Sequence, residues 1–175
     1  MSEKMTTECK LETEEMLAAR VAAPGSRSSV SFVGVRNTLP SDVATVSPFV
    51  DQLMRFISRF RLSDEGNFEI ELALREAIVN AIVHGNREDP RKRVYVNCRC
   101  MSDGEVAVTV EDEGTGFRSD AIPDPTSPDN QLRPHGRGIY LMRTLMDEVD
   151  FEQGGSVVHM RKKANSDSDT TRKPQ

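Results

Sequence analysis

The sequence predicts an α/β two-layer sandwich, a mixed and mostly antiparallel sheet with helices on one face. Three observations point there. Apolar residues recur at strand spacing in Val30–Thr38, at helical spacing through Val43–Ile82, and at strand spacing again across Arg93–Asp112. Two glycine-bearing signals, Asp103-Gly104 and Gly154-Gly155, each separate a pair of strand-like segments and so mark hairpins. The resulting order, β-α-α-β-β-loop-α-β-β, implies helices packed on one side of a sheet.

Each element has a local reason. Val30–Thr38 is rich in β-branched residues and reads as a strand. The first helix follows from Val43, Val46, Val50, Leu53, Ile57 and Phe60, which alternate three and four apart. Pro48 lies inside that pattern, so Ser47 can serve as the N-cap with proline at the first helical position. The second helix runs from a Ser63 cap through Phe68, Leu72, Ala77, Ile78, Ala81 and Ile82, with Gly85 as its C-terminal stop. Strands Arg93–Met101 and Glu105–Asp112 come next. Residues 117–134 contain Pro123, Pro125, Pro128 and Pro134, too many for a helix or a central strand, and predict a long loop. A helix from about Gly138 to Asp147 places Ile139, Met142, Leu145 and Met146 on its apolar side. Val149–Gln153 and Ser156–Lys162 complete the sheet.

These elements fill residues 29–163, one domain's worth of chain. Residues 1–28 mix both charges with Ala, Ser, Pro and Gly, and predict a flexible leader with a transient helix near Lys10–Val21. Residues 164–175 read as a disordered tail that cannot repay its ordering entropy. The 175 residues carry 23 basic and 28 acidic side chains, a net charge of −5. That balance argues against binding nucleic acid through the net field. No apolar run approaches the roughly 20 residues that span a bilayer, and the N-terminus lacks a secretory core, so a cytoplasmic protein is expected. Cys98 and Cys100 point the same way on one strand, poor geometry for a mutual bridge; with Cys9 they read as plain thiols in a reducing compartment.

Three clusters can carry chemistry. Glu76 and Asn80 stand four apart, on one helical face near the core side. A carboxylate can take a proton or orient water, and a carboxamide oxygen is a hard ligand suited to Mg²⁺. The plain alternative is a helix-surface pair. In Asp112-Glu-Gly114-Thr-Gly116, parity puts Asp112 on the same face as Val106, Val108 and Val110. A carboxylate at the edge of a valine row needs a donor, such as an exocyclic amine of the adenine kind. Gly114 and Gly116 let the backbone turn and approach a ligand. A solvated turn after a strand is the alternative here. The third cluster, Gly136-Arg137-Gly138, joins the proline-rich loop to a helix N-terminus, where free N–H groups and the dipole favour phosphate. Arg133 and Arg137 can add charge-assisted bonds; a mere helix-start glycine pair is the alternative. There is no G-x-x-x-x-G-K-[ST] P-loop. Neither glycine pair has the third glycine of a Rossmann fingerprint, since Ser119 and Leu141 occupy those places.

In order and spacing, these clusters resemble the N, G1 and G2 boxes of the Bergerat-fold ATPases, which include gyrase, heat-shock chaperones, mismatch-repair ATPases and histidine kinases. More closely, LALREAIVNAIVHGN, DEGTGF and DPTSPDNQLRPHGRGIYLMRTLMDEVDF resemble the anti-sigma factor serine/threonine kinases. The likeness covers about residues 30–163 and implies a Bergerat ATP-binding fold. It implies Glu76 as catalytic carboxylate and Asn80 as Mg²⁺ ligand. It implies Asp112 as the adenine partner, with Gly114 and Gly116 shaping that pocket, Gly136 and Gly138 at the lid hinge and phosphates, and Arg137 on the phosphates.

The activity implied is transfer of the γ-phosphoryl of ATP to a serine or threonine of a small antagonist protein. A sigma factor is held when that antagonist is phosphorylated. Such proteins are often homodimers and touch neither nucleic acid nor membrane directly. A non-catalytic ATP-sensing module of the same fold is the rival, and the intact Glu76 speaks against it. A histidine kinase fragment needs a helical hairpin bearing its phospho-accepting histidine, and His84, His135 and His159 all fall elsewhere.

Overall fold

The computed structural model describes residues 14–22, 29–60, 64–116 and 137–164. Among these residues six strands form one sheet: β1 (Glu14–Ala22), β2 (Ser29–Pro40), β3 (Arg93–Met101), β4 (Val106–Asp112), β5 (Glu148–Glu152) and β6 (Val157–Lys162). Their order across the sheet is β1-β2-β3-β4-β6-β5, and every pairing among them is antiparallel. Helices α1 (Val46–Ile57), α2 (Asp64–Asn80) and α3 (Arg137–Leu145) pack on one side, giving the expected two-layer sandwich. No helix among the described residues is long and apolar enough to cross a membrane.

Alternation fixes which sheet face is covered. Val94, Val96, Cys98 and Cys100 on β3 and Val106, Val108 and Val110 on β4 are all buried, with intervening residues half-buried or exposed. Against them α1 sets Val46, Phe49, Val50, Leu53 and Ile57, and α2 sets Ile70, Ala73, Leu74, Ala77 and Ile78. Cys98 and Cys100 are free thiols in this core. A hydrogen bond with Cys100, then burial, pushes the Cys98 thiol well above its ordinary pKa, so it stays protonated and inert.

The structure departs from the sequence reading in four places. Where a leader with a transient helix is expected, Glu14–Ala22 forms a strand paired to β2 from Glu14↔Arg36 to Ala22↔Ser29, with a register shift between Glu14 and Leu17. Strand bonds come from backbone, so the free edge of β2 can recruit a segment whose side chains show no sustained apolar face. Next, α1 starts at Val46 instead of being capped by Ser47. Asp42 accepts from Ala44 N (2.9 Å) and caps a short 3₁₀ turn, Val43–Thr45, ahead of it. The Ser47 hydroxyl instead receives the Arg75 guanidinium (2.9 Å). Pro48 still lies in the first turn, where a missing N–H costs nothing.

The β3–β4 connection is not a two-residue turn. Met101 N donates to Glu105 O (2.8 Å) and Gly104 N to Met101 O (3.0 Å), enclosing Ser102, Asp103 and Gly104 with Gly104 left-handed at φ 89°. Finally, α2 does not stop at a left-handed Gly85. It widens into a π-turn over Ala81–Gly85, closed by Asn86 N donating to Ala81 O (2.7 Å), and the left-handed residues are Arg87 and Glu88. The Ser63 cap and the proline-rich segment 117–134 lie outside the described residues.

Candidate functional site

The C-terminal half of α2 carries Glu76 and Asn80, both half-buried, beside the fully buried Ala77 and Ile78. The buried residues turn one flank of the helix to the sheet and leave the acid and the amide at the rim of the core. Gly138, in the first turn of α3, lies directly against them. A Cβ there would stand 2.6 Å from Glu76 Oε2 and 3.1 Å from Asn80 Nδ2. The first and third sequence clusters therefore meet. Among the described residues neither Glu76 nor Asn80 has a side-chain hydrogen-bond partner. The opening amides of α3, unpaired within the helix, and the positive end of its dipole lie at this end of α3. Arg137 opens α3 with an exposed side chain; Gly136 lies outside the described residues.

The second cluster forms the other end. Asp112 closes β4 on the valine face, as parity predicts, and is only 9% exposed. Its N–H donates to Ser156 O (2.9 Å), and its Oδ1 accepts from Gly114 N (2.8 Å). Burial raises its pKa, with the Gly114 bond and the Lys92 charge pulling the other way. Two glycines make room for the carboxylate. A side chain on Gly85 would collide with it, and a Cβ on Gly114 would come within 2.6 Å of Oδ1. Gly116 is left-handed (φ 73°), and a Cβ there would stand 2.5 Å from the Gly154 carbonyl of the β5–β6 turn.

Sequence reasoning missed Gly85 and Asn86. Asn86 is 1% exposed. Its Nδ2 donates to Arg93 O (2.8 Å) and its Oδ1 accepts from Glu113 N (2.9 Å). One amide thus ties the end of α2 to the start of β3 and the turn after β4. Glu113 adds two bonds, from Tyr95 Oη (2.8 Å) and Arg93 N (2.7 Å), which hold its carboxyl below the usual range. The available signal was an asparagine directly after a helix-ending glycine. The π-turn makes α2 a bridge between the two ends: Asn80 precedes it and Gly85 closes it.

Among the described residues no three His, Cys, Asp or Glu side chains come together as a metal cage. Asn80 offers one hard oxygen, with Glu76 beside it. That sparse set fits Mg²⁺, which keeps its waters and takes one or two protein oxygens plus substrate phosphates.

Comparison with known proteins gives the family. Residues 39–162 match the histidine kinase-like ATPase domain, a domain that binds ATP. An anti-sigma F factor of Heyndrickxia coagulans is 31% identical over 139 residues, spanning 75% of this chain and 82% of the relative. Those of Oceanobacillus iheyensis (31%, 77% and 90%) and Geobacillus thermodenitrificans (33%, 73% and 80%) are similarly related. The chain belongs to the histidine kinase-like ATPase family, and within it is similar to anti-sigma F factors.

Proposed function

We propose that the chain is an ATP-dependent serine/threonine protein kinase serving as an anti-sigma factor. It phosphorylates a small antagonist protein and sequesters a sigma factor. The observation that carries this reading is Gly138 seated against Glu76 and Asn80, which sets a helix N-terminus beside an acid and an amide. ATP lies with its exocyclic amine donating to the ionised Asp112 and its phosphates at the opening amides of α3 and Gly136–Gly138, with Arg137 alongside. Asn80 Oδ1 would hold Mg²⁺, which when bound would neutralise charge on the phosphates. Glu76 receives the proton of the incoming serine or threonine hydroxyl, or aligns that hydroxyl. The hydroxyl oxygen bonds to the γ-phosphorus as the bond to the β–γ bridging oxygen breaks, and ADP leaves. The antagonist supplies the nucleophile, so the chain needs none of its own.

Glu76→Gln tests this. With radiolabelled ATP and purified small antagonist proteins from the same genome, transfer should fall at least about a hundredfold, the usual worth of a positioned base. ATP affinity by calorimetry should stay close to wild type. Transfer at the wild-type rate removes Glu76 from its role. Tight ATP binding by the wild-type chain with no transfer to any antagonist makes it an ATP-sensing partner-binding module instead.

A further inference from the structure

Lys162, at the end of β6, takes no part in the contacts described above, yet it is a buried cation, 9% exposed. Its Nζ forms an ion pair with Glu69 Oε2 (2.5 Å) and donates a hydrogen bond to the Leu145 carbonyl (2.9 Å). Glu69 belongs to α2 and Leu145 closes α3. One ammonium therefore joins a strand and two helices, and meets the negative end of the α3 dipole. Burying such a group is unfavourable unless it is paired and hydrogen-bonded, and here it is both.

The spacing gives the clamp a consequence at the site. Leu145 and Gly138 are seven residues apart on α3, and Glu69 and Glu76 are seven apart on α2, about two turns in each case. The two helices therefore run antiparallel and are registered at two points. Lys162 joins Leu145 to Glu69 at one, and Gly138 rests on Glu76 and Asn80 at the other. The exit from α3 is held as well: Asp147 N donates to Arg161 O (3.0 Å), and Lys163 N to Asp147 Oδ2 (2.7 Å). Sliding α3 by one residue would move it about 1.5 Å. That shift lifts Gly138 off Glu76 or drives it in.

We infer that Lys162 is a positioning residue for the phosphate end of the site: by clamping α3 to α2 it sets the height of the α3 N-terminus over Glu76 and Asn80. This rests on the functional reading above, in which phosphates meet that N-terminus. The two ligands ATP and adenosine separate the ends, because adenosine reaches only the Asp112 end. Binding of each is measured on the full chain, ATP by calorimetry and adenosine by ligand-observed NMR.

Lys162→Met should weaken ATP about tenfold, the size of one charge-assisted hydrogen bond, and leave adenosine unchanged. Lys162→Arg, which keeps the charge and the donors, should recover most of the loss. Equal losses for both ligands, or wild-type ATP affinity in folded Lys162→Met, overturn the inference while the functional reading stands. If the single variant does not fold, Glu69→Met with Lys162→Met removes both charges, a replacement that buried pairs tolerate. The selective loss for ATP must persist there, and its absence overturns the inference. A wild-type chain that binds ATP no tighter than adenosine overturns the functional reading itself, and this inference with it.

Discussion

The two ends of the site are built differently. Around Asp112 nearly every polar group is engaged: Gly114 N on Oδ1, Asn86 between Glu113 and Arg93, Tyr95 on Glu113. Neither Glu76 nor Asn80 has a side-chain hydrogen bond among the described residues, and Gly138 lies against both. The first end is a pre-formed socket in which backbone and side chains hold one carboxylate in place. At the second, an acid, an amide and a helix N-terminus are held in position with bonding capacity to spare. A nucleotide matches that division, since a base is rigid and neutral whereas a polyphosphate brings its own charge and metal.

Gly138→Ala tests the open end most severely. A methyl 2.6 Å from Glu76 Oε2 and 3.1 Å from Asn80 Nδ2 must push aside the ends of both side chains, including the amide assigned to Mg²⁺ and the phosphates. ATP affinity should fall about a hundredfold, as when a phosphate site loses two charge-assisted bonds, while adenosine binding by NMR stays as in wild type. Equal loss of both ligands would mean the ends are not separable. Asn86→Ala tests the socket. It leaves the Glu113 N–H and the Arg93 carbonyl without their partner in a nearly closed environment. The cost should be about 2–3 kcal/mol in chemical denaturation, accompanied by weaker adenosine binding. A loss of stability with adenosine affinity intact would confine Asn86 to the fold.

Much of this was legible in the sequence because it rests on local rules. Parity alone put Asp112 on the buried face of β4, and helical spacing put Glu76 and Asn80 together. The hairpin at Gly104 was visible, but its length was not, because one extra residue in a turn depends on how the strands pair. The π-turn and Asn86 were hidden for a similar reason. Their bonds span from α2 to β3 and to the turn after β4, and the sequence shows only a glycine followed by an asparagine. β1 was invisible because what orders it is the exposed edge of β2 and not its own pattern. The meeting of Gly138 with Glu76 joins residues far apart in the chain, and only the motif resemblance anticipated it.

Asp112→Asn sharpens the comparison with the smallest change, because the amide keeps an oxygen for Gly114 N and fills the same space. What it loses is the charge. Burial raises the Asp112 pKa, so the folded chain binds this proton more readily than the unfolded one. The ionised carboxylate thus opposes folding, fully above its folded pKa and not at all once the pH is below the ordinary aspartate value of about 3.9. Asparagine carries no such term. Without nucleotide, the variant should melt a few degrees above wild type at neutral pH, and the gap should close as the pH falls through the raised pKa. Adenosine binding should move the other way: about tenfold weaker in the variant at neutral pH, the worth of one hydrogen bond to a charged acceptor. In wild type it should decline on acidification at a higher pH than an ordinary aspartate would give. A variant that binds adenosine normally, or melts lower at every pH, would show that the socket holds Asp112 for the fold and not for a base.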